Sequence, residues 1–186
     1  KDIVGDKCMI GTVELLKLVR EKKLVENLCE RELNNPEGAG FDLRAGEFFK
    51  LKDGGAFLGE TERHTPETES IAIYGKDKEI IIKPGEYFLV KSMEKVNLPF
   101  NVSAIFRPRS TLQRCGLMVA TAAASPGYSG ELTFGLFNAG KNTVRIELGA
   151  RIVHVLFFET SENVSAYRGQ WQGGRVSTDG KKEVQV

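Results

Sequence analysis

The chain has 186 residues, 41% of them hydrophobic, and a formal net charge of +1. This length suits one domain with a sizeable core, so we expect a single domain over residues 1–186. The balanced charge excludes a global electrostatic attraction to nucleic acid, and the apolar runs are shorter than the roughly 20 residues that cross a bilayer. We therefore expect a cytoplasmic protein without nucleic acid or membrane partners.

The cysteines predict neither a disulfide framework nor a metal centre. Cys8, Cys29 and Cys115 are odd in number and widely spaced, and there is no CxxC pair or histidine cluster. This pattern is typical of reduced thiols and offers no zinc ligand set. We expect no metal bound directly by side chains.

One segment has helical periodicity, over about residues 12–23, and Thr12 is its predicted N-cap. We place this helix in an N-terminal extension, residues 1–35, and expect it to serve packing and contacts between subunits. After it, short apolar runs alternate with turn residues such as Lys83-Pro84-Gly85-Glu86. The predicted strands are Glu79–Ile82, Tyr87–Ser92, Val102–Phe106, Leu132–Phe137, Val144–Ile146 and Ile152–Phe158.

Many short strands at close intervals favour a sandwich or barrel. The segment from Asp53 to Ser70, here called the excursion, is polar and rich in turn residues, which predicts an exposed hairpin or loop. Residues 165–186, here called the tail, mix aromatic residues, arginines and paired glycines without a regular period. A frayed terminus is one interpretation. We favour a lid over a phosphorylated ligand, with Trp171 packing against it.

Three short segments are candidates for binding chemistry. In the first, Arg107–Thr111, two arginines flank a proline and precede two hydroxyls. Guanidinium groups bind phosphate oxygens through two hydrogen bonds, and hydroxyls add donors. A solvated basic turn is the alternative.

The second segment, Ala120–Glu131, combines small residues with Pro126-Gly127-Tyr128, which predicts a hairpin that a ligand approaches closely. A flat base bound by main-chain groups and a sugar against Tyr128 would suit it. An ordinary tight hairpin with a core tyrosine is the alternative. In the third segment, Gly38–Ala45, Asp42 enters a strand between apolar neighbours, so a buried Asp42 needs a partner. Arg151 is the candidate, in a pair that is structural first.

Taken in order, these segments resemble the dUTPase and dCTP deaminase superfamily. Its five motifs are matched by Ala39–Ala45, Pro108–Leu112, Pro126–Glu131, Gly149–Ile152 and Gly173–Thr178. The helix, the Lys83–Glu86 turn and the tail look closest to the deaminases and to archaeal dUTPases. The resemblance implies a mainly β, distorted jelly roll (a β-clip) with one N-terminal helix. It also implies a homotrimer with sites between subunits, and Mg²⁺ bound through the triphosphate of a deoxypyrimidine nucleotide.

The resemblance also implies the residue roles. Arg109 and Ser110 would contact phosphates, Tyr128 would pack on the deoxyribose, and the tail would close over the phosphates. The full set of substrate-binding candidates is Arg109, Ser110, Thr111, Gly127, Tyr128, Arg151, His154, Gln172, Arg175 and Ser177.

Two expected acids are missing. The deaminases of this family carry a glutamate in the strand after the hairpin, and that position is Gly135. The dUTPases carry an aspartate ahead of the hairpin turn, and that position is Ser125, whose neutral hydroxyl is a poor base. The candidate catalytic residues are Ser125, Glu131 and Asp42, and His154 is a further possible base.

From these residues we expect a dUTP diphosphatase with a rearranged base, which converts dUTP and water to dUMP and pyrophosphate. The alternatives are a nucleotide-binding protein with impaired catalysis, and a dCTP deaminase-like enzyme, which Gly135 disfavours.

Overall fold

The computed structural model describes residues 9–162 and 164–184. Its helices are α1 (Thr12–Lys22), α2 (Glu30–Asn34) and α3 (Ser110–Arg114). Its strands are β1 (Val25–Glu26), β2 (Gly40–Leu51), β3 (Phe57–Leu58), β4 (Glu62–His64), β5 (Thr68–Ile73), β6 (Glu79–Ile82), β7 (Tyr87–Asn97), β8 (Val102–Pro108), β9 (Leu117–Ala120), β10 (Ser129–Asn138), β11 (Val144–Glu147), β12 (Arg151–Glu159) and β13 (Glu183–Val184).

The main sheet runs in the order β8-β12-β2-β7-β10-β9, with β1 added beside β7 and β5 beside β2. Strand β2 joins its two halves, because residues 40–44 pair with β12 while residues 45–51 pair with β7 and β5. The register shifts between Ala45 and Glu47, where a bulge turns the strand. The result is the expected mainly β, distorted jelly roll.

The core lies between the faces of this curved sheet. Strand β7 shows strict alternation, with buried residues at every second position. Its buried Val90 packs with side chains of β2 and β10, including Phe48, Phe134 and Leu136. Helix α1 adds Leu15, its one fully buried residue.

Two details of the helices differ from the sequence prediction. Helix α1 begins at Thr12, so the N-cap is Gly11, whose carbonyl accepts the Leu15 N–H at 3.0 Å. Thr12 was therefore the wrong N-cap. Helices α2 and α3 were also missed, because a five-residue helix is too short to show a period.

The predicted strands all form, and β6 has the predicted bounds Glu79–Ile82. The excursion contains the β3–β4 hairpin and the start of β5, which confirms the hairpin interpretation. Cys29 and Cys115 are free thiols, and Cys8 lies outside the described residues. Among residues 9–162 and 164–184, no helix is long and apolar enough to cross a membrane.

Candidate nucleotide-binding site

Asp42 is the centre of a buried polar cluster. It lies on β2 opposite His154 of β12 and is 2% exposed. Its Oδ1 is 2.8 Å from Nδ1 of His154, and its Oδ2 accepts a hydrogen bond from Arg151 at 2.9 Å. Arg109 forms an ion pair with the same Oδ2. The expected Asp42–Arg151 pair is therefore present, and Arg109 and His154 join it.

Helix α2 completes this cluster with two residues that the sequence analysis missed. Glu32 is buried, and its Oε2 accepts the Asp42 backbone N–H at 3.0 Å. Arg31 lies 3.8 Å from the Asp42 carboxylate and 3.0 Å from Glu37. Three guanidinium groups thus converge on one carboxylate, an arrangement suited to holding an anion beside them.

The electrostatics of the cluster keep His154 neutral near pH 7. Burial lowers the pKa of His154 below its ordinary 6.5, and the Arg109 charge lowers it further against the opposing effects of Glu32 and Glu37. A neutral imidazole whose Nδ1–H donates to Asp42 leaves Nε2 as an acceptor.

The predicted phosphate-binding segment lies at the edge of this cluster. Arg109 precedes α3, and its backbone N–H donates to the Ile152 carbonyl at 3.0 Å, which fixes the segment to β12. Ser110 and Thr111 are exposed at the start of α3. An open cavity of about 320 Å³, here called the arginine cavity, is lined by Glu37, Gly38, Asp42, Pro108, Arg109, Ser110 and His154.

The predicted hairpin forms at Pro126-Gly127, and Tyr128 follows it in the core. The Tyr128 side chain is 6% exposed, its hydroxyl donates to the Glu131 carbonyl at 2.5 Å, and its ring meets Tyr167 edge to face. Burial raises the pKa of Tyr128 to about 12. Ser125 is exposed in the turn. The alternative of a core tyrosine therefore describes this state, although the Tyr128 ring still borders a cavity.

That cavity, here called the tail cavity, has a volume of about 270 Å³. Its walls come from the hairpin, the main sheet and the tail, and most of them are apolar. The lining residues are Leu89, Phe106, Ala122, Ala123, Ala124, Tyr128, Leu132, Thr133, Phe134, Tyr167, Trp171, Arg175 and Val176. A flat ring of pyrimidine size fits such a volume, and apolar walls with few polar groups are typical of ligand pockets.

The tail covers the tail cavity of the same chain. Gln172 donates to the Gly127 carbonyl at 3.1 Å and accepts the Ser129 N–H at 3.1 Å. Arg175 forms an ion pair with Glu183. Ser177 is buried, and its hydroxyl donates a hydrogen bond to the Asp179 carboxylate. The described residues of the tail thus lie over the cavity, while the Arg175 and Ser177 side chains are bonded within the tail. Closure over a phosphorylated ligand stays a prediction.

The excursion holds the tail in place. Strand β13 of the tail pairs with β4, giving a small sheet in the order β13-β4-β3. Thr65 and Thr178 exchange two hydrogen bonds of 2.9 Å between backbone N–H groups and hydroxyls. The Arg63 guanidinium lies 5.4 Å from the Trp171 ring. Four buried polar atoms at this junction have no hydrogen-bond partner within the described residues 9–162 and 164–184: Nε of Arg63, Nδ1 of His64, Oε1 of Gln170 and Oε2 of Glu183.

Gly135 has a specific neighbour. A Cβ built there would overlap the hydroxyl oxygen of Tyr87 and would lie 3.2 Å from the Ala120 side chain. The phenol of Tyr87 therefore occupies the space that a side chain at position 135 would need. Tyr87 had not been singled out from the sequence, since strand alternation does not reveal a diagonal neighbour on the next strand.

Comparison with known proteins places the chain in the dUTPase and dCTP deaminase superfamily. Residues 9–160 match the family model described as dCTP deaminase-like, and the chain belongs to that family. It is 32% identical over 170 residues to the dCTP deaminase of Pyrococcus furiosus. This match covers 89% of this chain and 96% of that relative. It is 36% identical over 165 residues to the dCTP deaminase of Thermococcus gammatolerans, covering 88% and 94%.

A solved structure gives the same fold. The crystal structure of 2'-deoxycytidine 5'-triphosphate deaminase from Agrobacterium tumefaciens matches with a TM-score of 0.65 at 15% identity. The match covers 83% of this chain and 49% of that one, so this chain spans about half of its length.

These relatives correct the expected activity. The preference for dUTP hydrolysis was wrong, because the family model and the relatives at 30% identity or more point to dCTP deaminases. The error has a physical cause. The resemblance assigns most of the motif residues to phosphate and sugar, which dCTP and dUTP share. The motifs therefore do not separate cytosine from uracil.

Proposed function

We propose that this chain binds dCTP, with its base in the tail cavity, and has lost the proton carrier needed to deaminate it. The names of the relatives support dCTP as the nucleotide. One observation supports the loss of the proton carrier. The family glutamate is expected at Gly135, and the Tyr87 phenol fills the space beside this residue.

Deamination of cytosine replaces the 4-amino group by oxygen from water and releases ammonia. A group must take a proton from the water and return one to the leaving amine, and it works best with a pKa near the working pH. In the described part of the chain, the tail cavity is lined by no aspartate, glutamate or histidine. Burial raises the pKa of Tyr87 above its ordinary 10, so almost no phenolate is present near pH 7 to take a proton.

Deamination at a low rate is the second candidate, and the names of the relatives favour it. Glu131 is the carboxylate on β10 close to the hairpin, and it lies against the tail backbone at Gly174. If Glu131 carries the proton, the tail must first move away from this contact.

We also propose that a second copy completes the site, as a homotrimer would allow. Arg109 and Ser110 line the arginine cavity, whereas Tyr128 and Arg175 line the tail cavity, and none of the described residues lines both cavities. Phosphates and base would then be held by different copies. Sedimentation should give three chains per particle, and a monomer that binds dCTP would contradict this arrangement.

Magnesium fits this proposal only through the nucleotide. Among the described residues, no group of three or more His, Cys, Asp or Glu could hold a metal ion. The triphosphate oxygens would therefore supply most ligands of a Mg²⁺ ion, while Arg109 and Ser110 bind the remaining oxygens.

The test is a calorimetric titration with dCTP and Mg²⁺, followed by ion-exchange separation of the nucleotide after long incubation. We expect saturable binding, unchanged dCTP and no ammonia. Steady formation of dUTP would overturn the loss of deamination and favour the second candidate. Absence of binding to the full chain would overturn the proposal.

A further inference from the structure

Tyr87, Thr133 and Gly135 lie on one face of the main sheet. In the register of β7 with β10, Tyr87 is opposite Phe137, Leu89 is opposite Gly135, and Lys91 is opposite Thr133. Directly opposed residues point to the same side of a sheet. The intervening residues Phe88, Val90, Phe134 and Leu136 are buried on the other side. Tyr87 is therefore the diagonal neighbour of Gly135 on the face that carries Thr133.

The absence of a side chain at Gly135 is what allows Tyr87 to lie there. Glycine within a strand is less stable than alanine, because it loses more backbone entropy on folding. The backbone at Gly135 is not in the left-handed region, so its conformation does not require glycine. Space favours glycine in this arrangement, because a Cβ would overlap the Tyr87 hydroxyl oxygen unless the end of that side chain moved.

Both hydroxyls on this face have unused hydrogen-bonding capacity. The Thr133 hydroxyl is buried and has no partner within residues 9–162 and 164–184. Tyr87 is 41% exposed, and its hydroxyl makes no hydrogen bond to the described part of the chain. A buried polar group without a partner, such as the Thr133 hydroxyl, destabilises the protein, and a ligand that bonds to it removes that penalty.

The two hydroxyls border adjoining spaces under the tail. Thr133 lines the tail cavity. Tyr87 lines a cavity of about 250 Å³ beside it. Leu89, Trp171 and Val176 line both cavities. Tyr87 and Thr133 therefore face adjoining parts of the space under the tail, from the same face of the sheet.

We propose that the hydroxyls of Tyr87 and Thr133 bind the polar edge of the pyrimidine, so that 4-amino and 4-oxo bases bind about equally. This inference rests on the proposed nucleotide binding. A hydroxyl both donates and accepts. It can accept from the amino group of cytosine and, after rotation, donate to the 4-oxygen of uracil. An ionised carboxylate only accepts, so it would favour cytosine.

The first test compares Kd values for dCTP and dUTP, each with Mg²⁺, by calorimetry. We expect the two values of the unchanged protein to agree within about 3-fold, and Tyr87→Phe to weaken both by about 3–10-fold, the range for one neutral hydrogen bond. Tyr74→Phe is the matched control, because Tyr74 is exposed and borders neither cavity. It should leave both Kd values unchanged.

The outcomes separate the two proposals. Binding of dCTP with more than about 10-fold preference over dUTP, or no effect of Tyr87→Phe, would overturn this inference alone. Absence of binding to either nucleotide would overturn the proposed function as well. A second arm places a carboxylate at the same point, with Gly135→Glu in a Tyr87→Ala background.

In that double variant, removal of the phenol leaves room for the new side chain. The accept-only carboxylate should bind dCTP at least about 10-fold more tightly than dUTP, while Tyr87→Ala alone should show no such preference. Equal Kd values in the folded double variant would contradict the inference. Thermal unfolding of each variant verifies the fold before titration.

Discussion

Gln172 in the tail and Gly127 in the hairpin turn are joined by a hydrogen bond of 3.1 Å from the side-chain amide to the carbonyl oxygen. The oxygen of the Gln172 side-chain amide accepts a hydrogen bond from the Ser129 N–H. The cover of the tail cavity is therefore bonded to the main chain of the hairpin. A base that uses these hairpin groups must compete with Gln172 for them.

Substitution Gln172→Ala should loosen the tail. It removes two hydrogen bonds to the hairpin, each worth about 0.5–1.5 kcal/mol. Trp171 is the chain's single tryptophan, so its emission reports on this segment alone. We expect a red shift and faster proteolysis of the tail. Gln113→Ala, an exposed glutamine on α3, is the control, and an unchanged spectrum in Gln172→Ala would contradict the prediction.

Substitution Thr65→Val should weaken the contact between tail and excursion. It leaves the buried Thr178 N–H without its acceptor, which costs about 1–3 kcal/mol. Hydrogen exchange should speed up at Thr178 and in β13 while β7 stays protected. The exposed Thr61 gives the control Thr61→Val. Equal protection of the tail in both variants would show that this contact does not hold it.

Arg44 and Glu94 form a buried ion pair with a distinct pH dependence. Arg44 donates to the Glu94 carboxylate through Nε at 2.6 Å and through its backbone N–H at 2.8 Å. Burial nevertheless raises the pKa of Glu94 above its ordinary 4.5. A raised carboxyl pKa means that the folded state holds the proton more tightly, so this contribution to stability falls as pH rises above about 4.5.

Substitution Arg44→Leu should therefore destabilise by about 3–5 kcal/mol, and by more at pH 7.5 than at pH 5. Urea unfolding at the two pH values measures this. Lys52→Leu, which removes an exposed partner of Glu67, is the control and should cost less than about 1 kcal/mol. A loss in Arg44→Leu that is the same at both pH values would refute the assignment to Glu94.

For His154, the expected pH dependence of stability has the opposite sign to that of Glu94. Burial lowers its pKa below 6.5, so the folded state holds this proton less tightly than the unfolded state does. Stability should fall as pH drops below about 6.5 towards the folded pKa. In His154→Asn, an amide can still donate to Asp42, but nothing titrates there. Urea unfolding from pH 7.5 to pH 5 should show a shallower loss in this variant, and an equal loss would argue against a neutral His154.

The sequence predicts the strands well because β strands and turns leave local signals. Strand β6 and the turn after it are one case, since a β-branched run followed by Lys83-Pro84-Gly85 has few other conformations. The Asp42–Arg151 pair could be predicted because an acid between apolar neighbours needs a partner.

The missed features depend on contacts between distant segments. Arg31 and Glu32 reach the Asp42 cluster only because a short helix folds against β2, and no local pattern announces such a helix. Tyr87 acquires its significance from the register of β7 against β10. That register places its hydroxyl over Gly135, and a list of motifs contains no such relationship.

The small sheet of β13, β4 and β3 joins two segments, the excursion and the tail, that lie far apart in the sequence. The excursion has no large core of its own, since Phe57 and Leu58 are exposed, and β13 is two residues long. Each of these two segments therefore depends on the other for its stable conformation. Among related sequences, shortening of one should be accompanied by loss or redesign of the other, and a chimera that exchanges only the tail should lose its docking.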